Sequence, residues 1–148
     1  MTTLRSQASD EDQIRALIDN RVEAVHDKDL ARIMSDYATD VLMFDVVNPL
    51  LYAGPDAVRD RAEAWFSSYD GPIGYEVRDL EVAASGDLAY CTFLYRVSGT
   101  LTVGAAVKMW VRATACFHRF DGAWKITHNH ESVPFDPESG AASLDLTP

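Results

Sequence analysis

Apolar positions recur at helical spacing in the first part of the chain and alternate with polar positions in the remainder. The first helical run follows Ser9, whose position ahead of three acidic residues predicts a helix N-cap. A repeat of three or four residues then predicts one amphipathic helix. The apolar residues of this repeat are Ile14, Leu17, Ile18, Val22 and Val25.

Two further helices are predicted in the first part of the chain. Residues 29–37 fit a short helix with its apolar positions turned inward. Gly54 and Pro55 open a third helix, because the missing N–H of proline is no loss in a first helical turn. The sequence Asp70-Gly71-Pro72 is a turn pattern and predicts that this helix has ended by then.

The later part of the chain predicts strands. Runs of alternating apolar residues are separated by turn residues such as Asp121-Gly122. Helices come first and most strands follow, which favours an α+β fold with a curved, mainly antiparallel sheet around the helices. The predicted strands are residues 41–47, 50–53, 75–82, 88–97, 107–120 and 124–131.

Composition indicates one domain without an affinity for polyanions. The chain has 148 residues, is 47% hydrophobic and carries a formal charge of −10, which disfavours nucleic acids and acidic membrane surfaces as partners. We expect a single domain over residues 1–148, with an irregular tail at 134–148. Without an apolar leader or a long apolar run, a cytoplasmic location is expected, with Cys91 and Cys116 reduced.

Asp45 is the most informative residue, since it lies in an almost wholly apolar run. A carboxylate that loses hydration in such surroundings has a raised pKa and can act as a general base near neutral pH. The alternative is that Asp45 pairs with an arginine and has a structural role only. Arg112 lies in another apolar run, and Asp45 or a substrate oxyanion are the candidates for its partner. The alternative is a surface position or an ion pair with a structural role only.

His128 and His130 follow Trp124 and Ile126 at alternating positions of the last strand. We therefore expect all four side chains on one face. His130 is a candidate acid or base, and a metal site would need a third ligand such as Asp45 or His118. Packing roles are the alternative, and no metal is predicted. The predicted catalytic set is Asp45, His130 and Arg112. The predicted ligand contacts are Trp65, Trp110, Tyr52, His128, His118 and Cys116.

No glycine-rich phosphate loop, nucleophile elbow or Cys-x-x-Cys pair occurs in the sequence. Nucleotide and redox cofactors therefore have no support, and we expect none.

Three motifs resemble the NTF2-like superfamily: Tyr37-Ala38-Thr39-Asp40, Gly54-Pro55-Asp56-Ala57-Val58, and Asp121-Gly122-Ala123-Trp124-Lys125-Ile126. More narrowly, the segments 44–50 and 126–136 resemble SnoaL-like proteins called ketosteroid isomerase homologues. The resemblance implies a cone of three helices within a curved sheet, enclosing one pocket for a small, largely apolar or aromatic molecule. It also implies that Asp45 matches the base of the ketosteroid isomerases.

The resemblance departs from those isomerases at their oxyanion hole. Arg21 and Cys116 stand where a tyrosine and a protonated aspartate are needed, so steroid isomerisation is disfavoured. Two functions are consistent with the resemblance. One is a cofactor-free isomerase or cyclase with Asp45 as the base, and the other is a non-catalytic ligand-binding or association domain. A homodimer is expected in both cases, through an apolar sheet face that carries Leu94, Val111 or Phe117.

Overall fold

Three helices precede most of a six-stranded sheet in the computed structural model, which describes residues 2–148 and the side chains from Asp10 onward. The helices are α1 (Thr2–His26), α2 (Leu30–Met34) and α3 (Pro55–Ser67). The strands are β1 (Tyr37–Phe44), β2 (Tyr52–Ala53), β3 (Tyr69–Ser85), β4 (Leu88–Leu101), β5 (Ala106–Phe120) and β6 (Ala123–Ser132).

Helix boundaries differ from the predictions at two places. Helix α1 begins at Thr2, so the predicted N-cap at Ser9 is wrong. Helix α2 ends at Met34, and Tyr37 already belongs to β1, where it pairs with Ile126 of β6. The side chain of Asp29 caps α2 by accepting a hydrogen bond from the Arg32 backbone N–H at 3.1 Å.

The strand order is β2-β1-β6-β5-β4-β3, and the sheet does not close into a barrel. Strand β1 is parallel to β6, while every other pair is antiparallel. Pro55 opens α3 as predicted. The turn predicted at Asp70-Gly71-Pro72 is instead an irregularity within β3, because pairing with β4 shifts register between Asp70 and Gly74.

A β-bulge at Thr127 decides which residues of β6 face the helices. Cys116 pairs with His128, whereas the next residue of β5, Phe117, pairs with Ile126. The extra residue reverses the alternation, so that Asn129 and Glu131 are buried on the inner side. The prediction that His128 and His130 share a face with Trp124 and Ile126 is therefore wrong.

The inner face of the sheet packs against α1 and holds most of the core. Ile14 and Ile18 of α1 and Phe117 of β5 are among its fully buried side chains. Val111 and Phe117 thus do not lie on an exposed face as the dimer prediction required, since each is only 1% exposed. The outer face instead leaves Leu88, Tyr90 and Phe120 at 64%, 52% and 40% exposure.

After β6 the chain forms only an isolated bridge between Phe135 and Ala142, closed by local backbone hydrogen bonds. None of the helices in the described chain is long and apolar enough to cross a membrane.

Candidate functional site

A cavity of about 350 Å³ opens between α1, α3 and the inner face of the sheet. This volume is at the lower end of the range for small-molecule sites. Most of its wall is apolar, and its charged groups enter in two polar clusters. The main apolar wall residues are Met43, Val58, Trp65, Val97, Val107 and Met109.

The first polar cluster is an ion pair between Asp45 and Arg61. Asp45 directly follows the end of β1, and its Oδ2 accepts a hydrogen bond from Arg61 Nε of α3 at 2.9 Å. Its Oδ1 accepts the Val46 backbone N–H at 2.6 Å. The two side chains are 8% and 20% exposed, and both line the cavity. Asp45 therefore does pair with an arginine, but this arginine is Arg61 and not the candidate Arg112.

The second cluster is a buried network around Arg21, one helix turn before the end of α1. Its Nη1 donates to the Tyr37 hydroxyl at 2.8 Å and its Nε to the Tyr75 hydroxyl at 3.2 Å. Its Nη2 lies 3.4 Å from Glu131 Oε1. The Tyr95 hydroxyl donates to Glu131 Oε2 at 3.0 Å. All these groups except Tyr75 line the cavity.

Burial sets the protonation of this network. Loss of water raises the pKa of Glu131, and the nearby Asp45 raises it further, although the Arg21 charge acts in the opposite direction. Burial lowers the pKa of Arg21, but Tyr37, Tyr75 and Glu131 outweigh that effect and leave it above its ordinary value. Burial also raises the pKa of Tyr37. Arg21 is therefore a cation beside neutral hydroxyl groups at neutral pH.

Most of the site residues predicted from sequence lie on the outer face of the sheet. Arg112 Nε donates to Ser132 Oγ at 3.2 Å in an exposed position, and Trp110 packs beneath the Arg96 guanidinium at 5.9 Å. His128 Nδ1 contacts the Leu42 carbonyl at 2.6 Å. His118 and Cys116 belong to the same face, since they alternate with the buried Ala115 and Phe117.

Only Asp45 and Trp65 among the predicted site residues line the cavity. Tyr52 lies outside it and donates from its hydroxyl to the Asn48 carbonyl at 2.9 Å. His130 borders a separate, more open groove together with Asp45 and the segment after β1. The structure therefore separates Arg112 from Asp45 but leaves His130 beside the same stretch of chain.

Comparison with known proteins identifies the family. The model of the SnoaL-like domain matches residues 14–136. The chain belongs to the SnoaL-like family. Its fold is that of an NTF2-like protein of unknown function from Pseudomonas putida KT2440, at 34% identity and a TM-score of 0.87 over 95% of this chain and 98% of that chain. The predicted family and α+β cone are both confirmed.

Two more distant structures share the fold of this SnoaL-like protein. One is a proposed dehydratase of the NTF2-like family from Streptomyces avermitilis, with 20% identity and a TM-score of 0.76 over 85% of this chain and 97% of that one. The other is a ketosteroid isomerase-like protein from Erwinia carotovora atroseptica, with 17% identity and a TM-score of 0.71 over 82% and 94%. At such identities the likeness shows the fold alone. No curated protein matches the sequence.

Sequence reasoning missed most of the polar lining of this SnoaL-like cavity. The local pattern predicts Glu131 only as the end of a strand, because its inward direction depends on the bulge at Thr127. Arg21 interrupts the apolar repeat of α1 beside Val22. The family resemblance, which sets Arg21 against an oxyanion-hole tyrosine, was the signal that it lies near the site. Arg61 of α3 carried no signal beyond its helical position.

A metal site at His128 and His130 would need a third ligand, and none lies near them among the described side chains. Across the side chains that the structure describes, no three His, Cys, Asp or Glu residues converge in a way that could hold a metal ion. His128 and His130 have ring centroids 6.4 Å apart and both contact Phe44 edge to face. Their described contacts are those of packing residues.

Proposed function

We propose that this SnoaL-like protein binds a small, largely apolar molecule in the inner cavity and that Asp45 removes a proton from it. The reaction class is a cofactor-free isomerisation, cyclisation or dehydration. The observation that carries the proposal is the nearly buried Asp45 carboxylate on the wall of an open apolar cavity. Such a carboxylate has limited access to water and direct access to a bound molecule.

Arg61 supports the proposal by orienting the base. Its single contact to Oδ2 fixes the plane of the carboxylate, and each carboxylate oxygen retains a second lone pair that can accept a proton. The proton leaves a carbon next to a carbonyl group, and its bonding electrons pass to the carbonyl oxygen to form an enolate. Return of the proton to the same carbon or to another then gives exchange or isomerisation.

The proposal predicts hydrogen exchange at carbon. A panel of cyclic ketones is incubated in D₂O with the protein, and deuterium uptake next to the carbonyl is followed by NMR. This readout detects proton removal without knowledge of the product. The Asp45→Asn variant is expected to reduce exchange at least ~100-fold, since loss of a general base costs about 10²–10⁴-fold.

Asp40→Asn is the matched control, because Asp40 is an exposed carboxylate on β1, the strand that Asp45 directly follows. It should exchange like the unaltered protein, as should His130→Ala. Equal rates for Asp45→Asn and the unaltered protein would refute the assignment. Loss of exchange in His130→Ala would move the reaction to the groove beside β1.

A non-catalytic ligand-binding domain is the second candidate, favoured by the same ion pair. Asp45 has a partner in Arg61, as a structural carboxylate would. The cavity is nevertheless open rather than filled by aromatic side chains. Ligand binding without exchange in the unaltered protein would support this second function.

A further inference from the structure

Arg61 lines the cavity with most of its hydrogen-bonding capacity unused. Its Nε donates to Asp45 Oδ2 at 2.9 Å. A guanidinium has five N–H donors, four of them on its two terminal nitrogens. Among the described residues, no oxygen accepts a hydrogen bond from Nη1 or Nη2 of Arg61, and neither atom is fully buried. These terminal nitrogens are therefore open to a bound molecule.

The other arginine of the described cavity wall, Arg21, has no such free capacity. Each of its three nitrogens has a protein partner: Nε contacts the Tyr75 hydroxyl, Nη1 the Tyr37 hydroxyl and Nη2 the Glu131 carboxylate. Its side chain is also only 9% exposed, against 20% for Arg61. Arg61 is thus the arginine of this wall that can bind a ligand without losing a protein partner.

The position of Arg61 on α3 places it beside the apolar part of the cavity. Val58 lies three residues before it and Trp65 four residues after it, and all three side chains line the cavity. This spacing puts them on one face of the helix, where they are neighbours. A molecule whose ring packs on Trp65 can therefore place a polar substituent at the Arg61 guanidinium.

The charge of the lining favours one anionic group on such a molecule. Asp45 and Glu131 balance the two arginines only while both carboxylates are ionised. Loss of water raises the pKa of Glu131, so it takes up a proton more readily than an exposed glutamate, and the lining then carries a net positive charge. The formal charge of −10 on the whole chain opposes an anion at long range. Salt screens that field beyond about 10 Å, whereas a partly buried contact is screened much less.

We propose that Arg61 binds the carboxylate of a cyclic or aromatic monocarboxylic acid through its two terminal nitrogens, while its Nε stays on Asp45. The planar fork of a guanidinium matches the two oxygens of a carboxylate, and this pairing is stronger and more directional than a hydrogen bond between neutral groups. The apolar wall around Trp65 covers the ring. This proposal rests on the proposed function, for which it names the substrate class, because the bound carboxylate holds the ring beside Asp45.

The test compares 2-naphthoate with 2-naphthamide, which have the same ring and nearly the same shape but differ in charge. Neither molecule has a hydrogen on the carbon next to its carbonyl group, so binding is independent of proton removal. Affinity is measured by isothermal titration calorimetry at neutral pH. In the unaltered protein we expect naphthoate to bind about 30-fold more tightly than naphthamide, as for hydrogen bonds between charged groups.

Removal of Arg61 alone would leave Asp45 as a buried charge without its cation, so both are replaced together. Arg61→Met combined with Asp45→Asn should abolish the preference for naphthoate and leave the affinity for naphthamide unchanged. Asp45→Asn by itself should keep the preference, because Arg61 remains. Arg59→Met combined with Asp45→Asn is the matched control, since Arg59 is an exposed arginine of the same helix. It should also keep the preference.

Arg61→Lys tests the fork separately and does not depend on the folding of the double variant. The lysine retains a cation beside Asp45, but a single ammonium group cannot form two parallel hydrogen bonds with a carboxylate. We expect it to lower the preference for naphthoate about tenfold. An unchanged preference would contradict binding through the two terminal nitrogens.

Three further results would overturn the proposal: no preference for naphthoate in the unaltered protein, a preference that survives in the Arg61→Met and Asp45→Asn double variant, or an equal loss in the Arg59→Met control. The ketone exchange of the unaltered protein separates this proposal from the proposed function. A preference that depends on Arg61 without any exchange keeps the carboxylate site and removes the proton transfer. Exchange without such a preference keeps the proton transfer and removes the carboxylate site.

Discussion

The two faces of the sheet carry similar residue types in different environments. On the inner side, Glu131 of β6 and Arg21 of the covering helix α1 are buried, and each has hydrogen-bonded partners. On the outer face, Arg112 and His130 are exposed, and Arg112 has one hydroxyl partner. A buried charge without a partner is strongly unfavourable, whereas an exposed one is hydrated by water. Hydrogen-bonded or ionic partners therefore indicate the polar residues whose loss would lower the stability of the protein most.

Polar residues within apolar runs are ambiguous until the sheet register is known. Arg112 and Asp45 both interrupt apolar sequence, yet only Asp45 reaches the cavity. The difference arises because Asp45 lies just beyond the end of β1, where the chain turns toward α3. Arg112 lies within β5 at a position that alternation turns outward.

Substitution of the two arginines should give the largest contrast between the faces. Arg21→Met leaves Glu131 as a buried carboxylate without its cation, and we expect it to lower the free energy of unfolding by about 3–5 kcal/mol. Arg112→Met on the outer face should change it by no more than about 0.5 kcal/mol. Urea denaturation measures both variants. Similar losses would contradict the distinction between the faces.

The second prediction is that the outer face of the sheet forms a dimer interface. We expect a homodimer in which a second copy covers Leu88, Tyr90 and Phe120, the exposed apolar residues of that face. Tyr90→Lys should weaken dimerisation roughly 30-fold, since buried tyrosines at interfaces contribute about 2 kcal/mol. Sedimentation analysis measures the change. Val103→Lys is the control, at an 84% exposed position in the β4–β5 turn. A monomeric unaltered protein would contradict the expectation.

The smallest effect concerns the pH dependence of stability. Burial raises the pKa of Glu131 above its ordinary 4.5. At pH values between the pKa of Glu131 in the unfolded chain and its higher pKa in the folded protein, the folded protein holds a proton that the unfolded chain has lost. The free energy of unfolding therefore falls as pH rises through this interval. Glu131→Gln removes this titration. The Tm of the unaltered protein minus that of the variant should decrease as pH rises above about 4.5. A constant difference would exclude the effect.

The local pattern of the sequence was sufficient for the element types. Helical spacing located α1 and α3, and alternation located the long strands, because both periods come from backbone geometry that neighbouring residues share. Element ends were less certain. Tyr37 was assigned to a helix, but pairing with Ile126 at a separation along the chain of almost ninety residues places it in β1.

The amino-acid sequence was enough to predict the fold class and the family, and to single out Asp45 as a carboxylate next to apolar residues. Tertiary structure decided its partner, Arg61, and the network of Arg21 with Glu131. These pairings join residues far apart in the sequence, and one of them depends on a single bulge at Thr127. A one-residue shift exchanges the two faces of a strand, and nothing in the local pattern of β6 marks where that shift occurs.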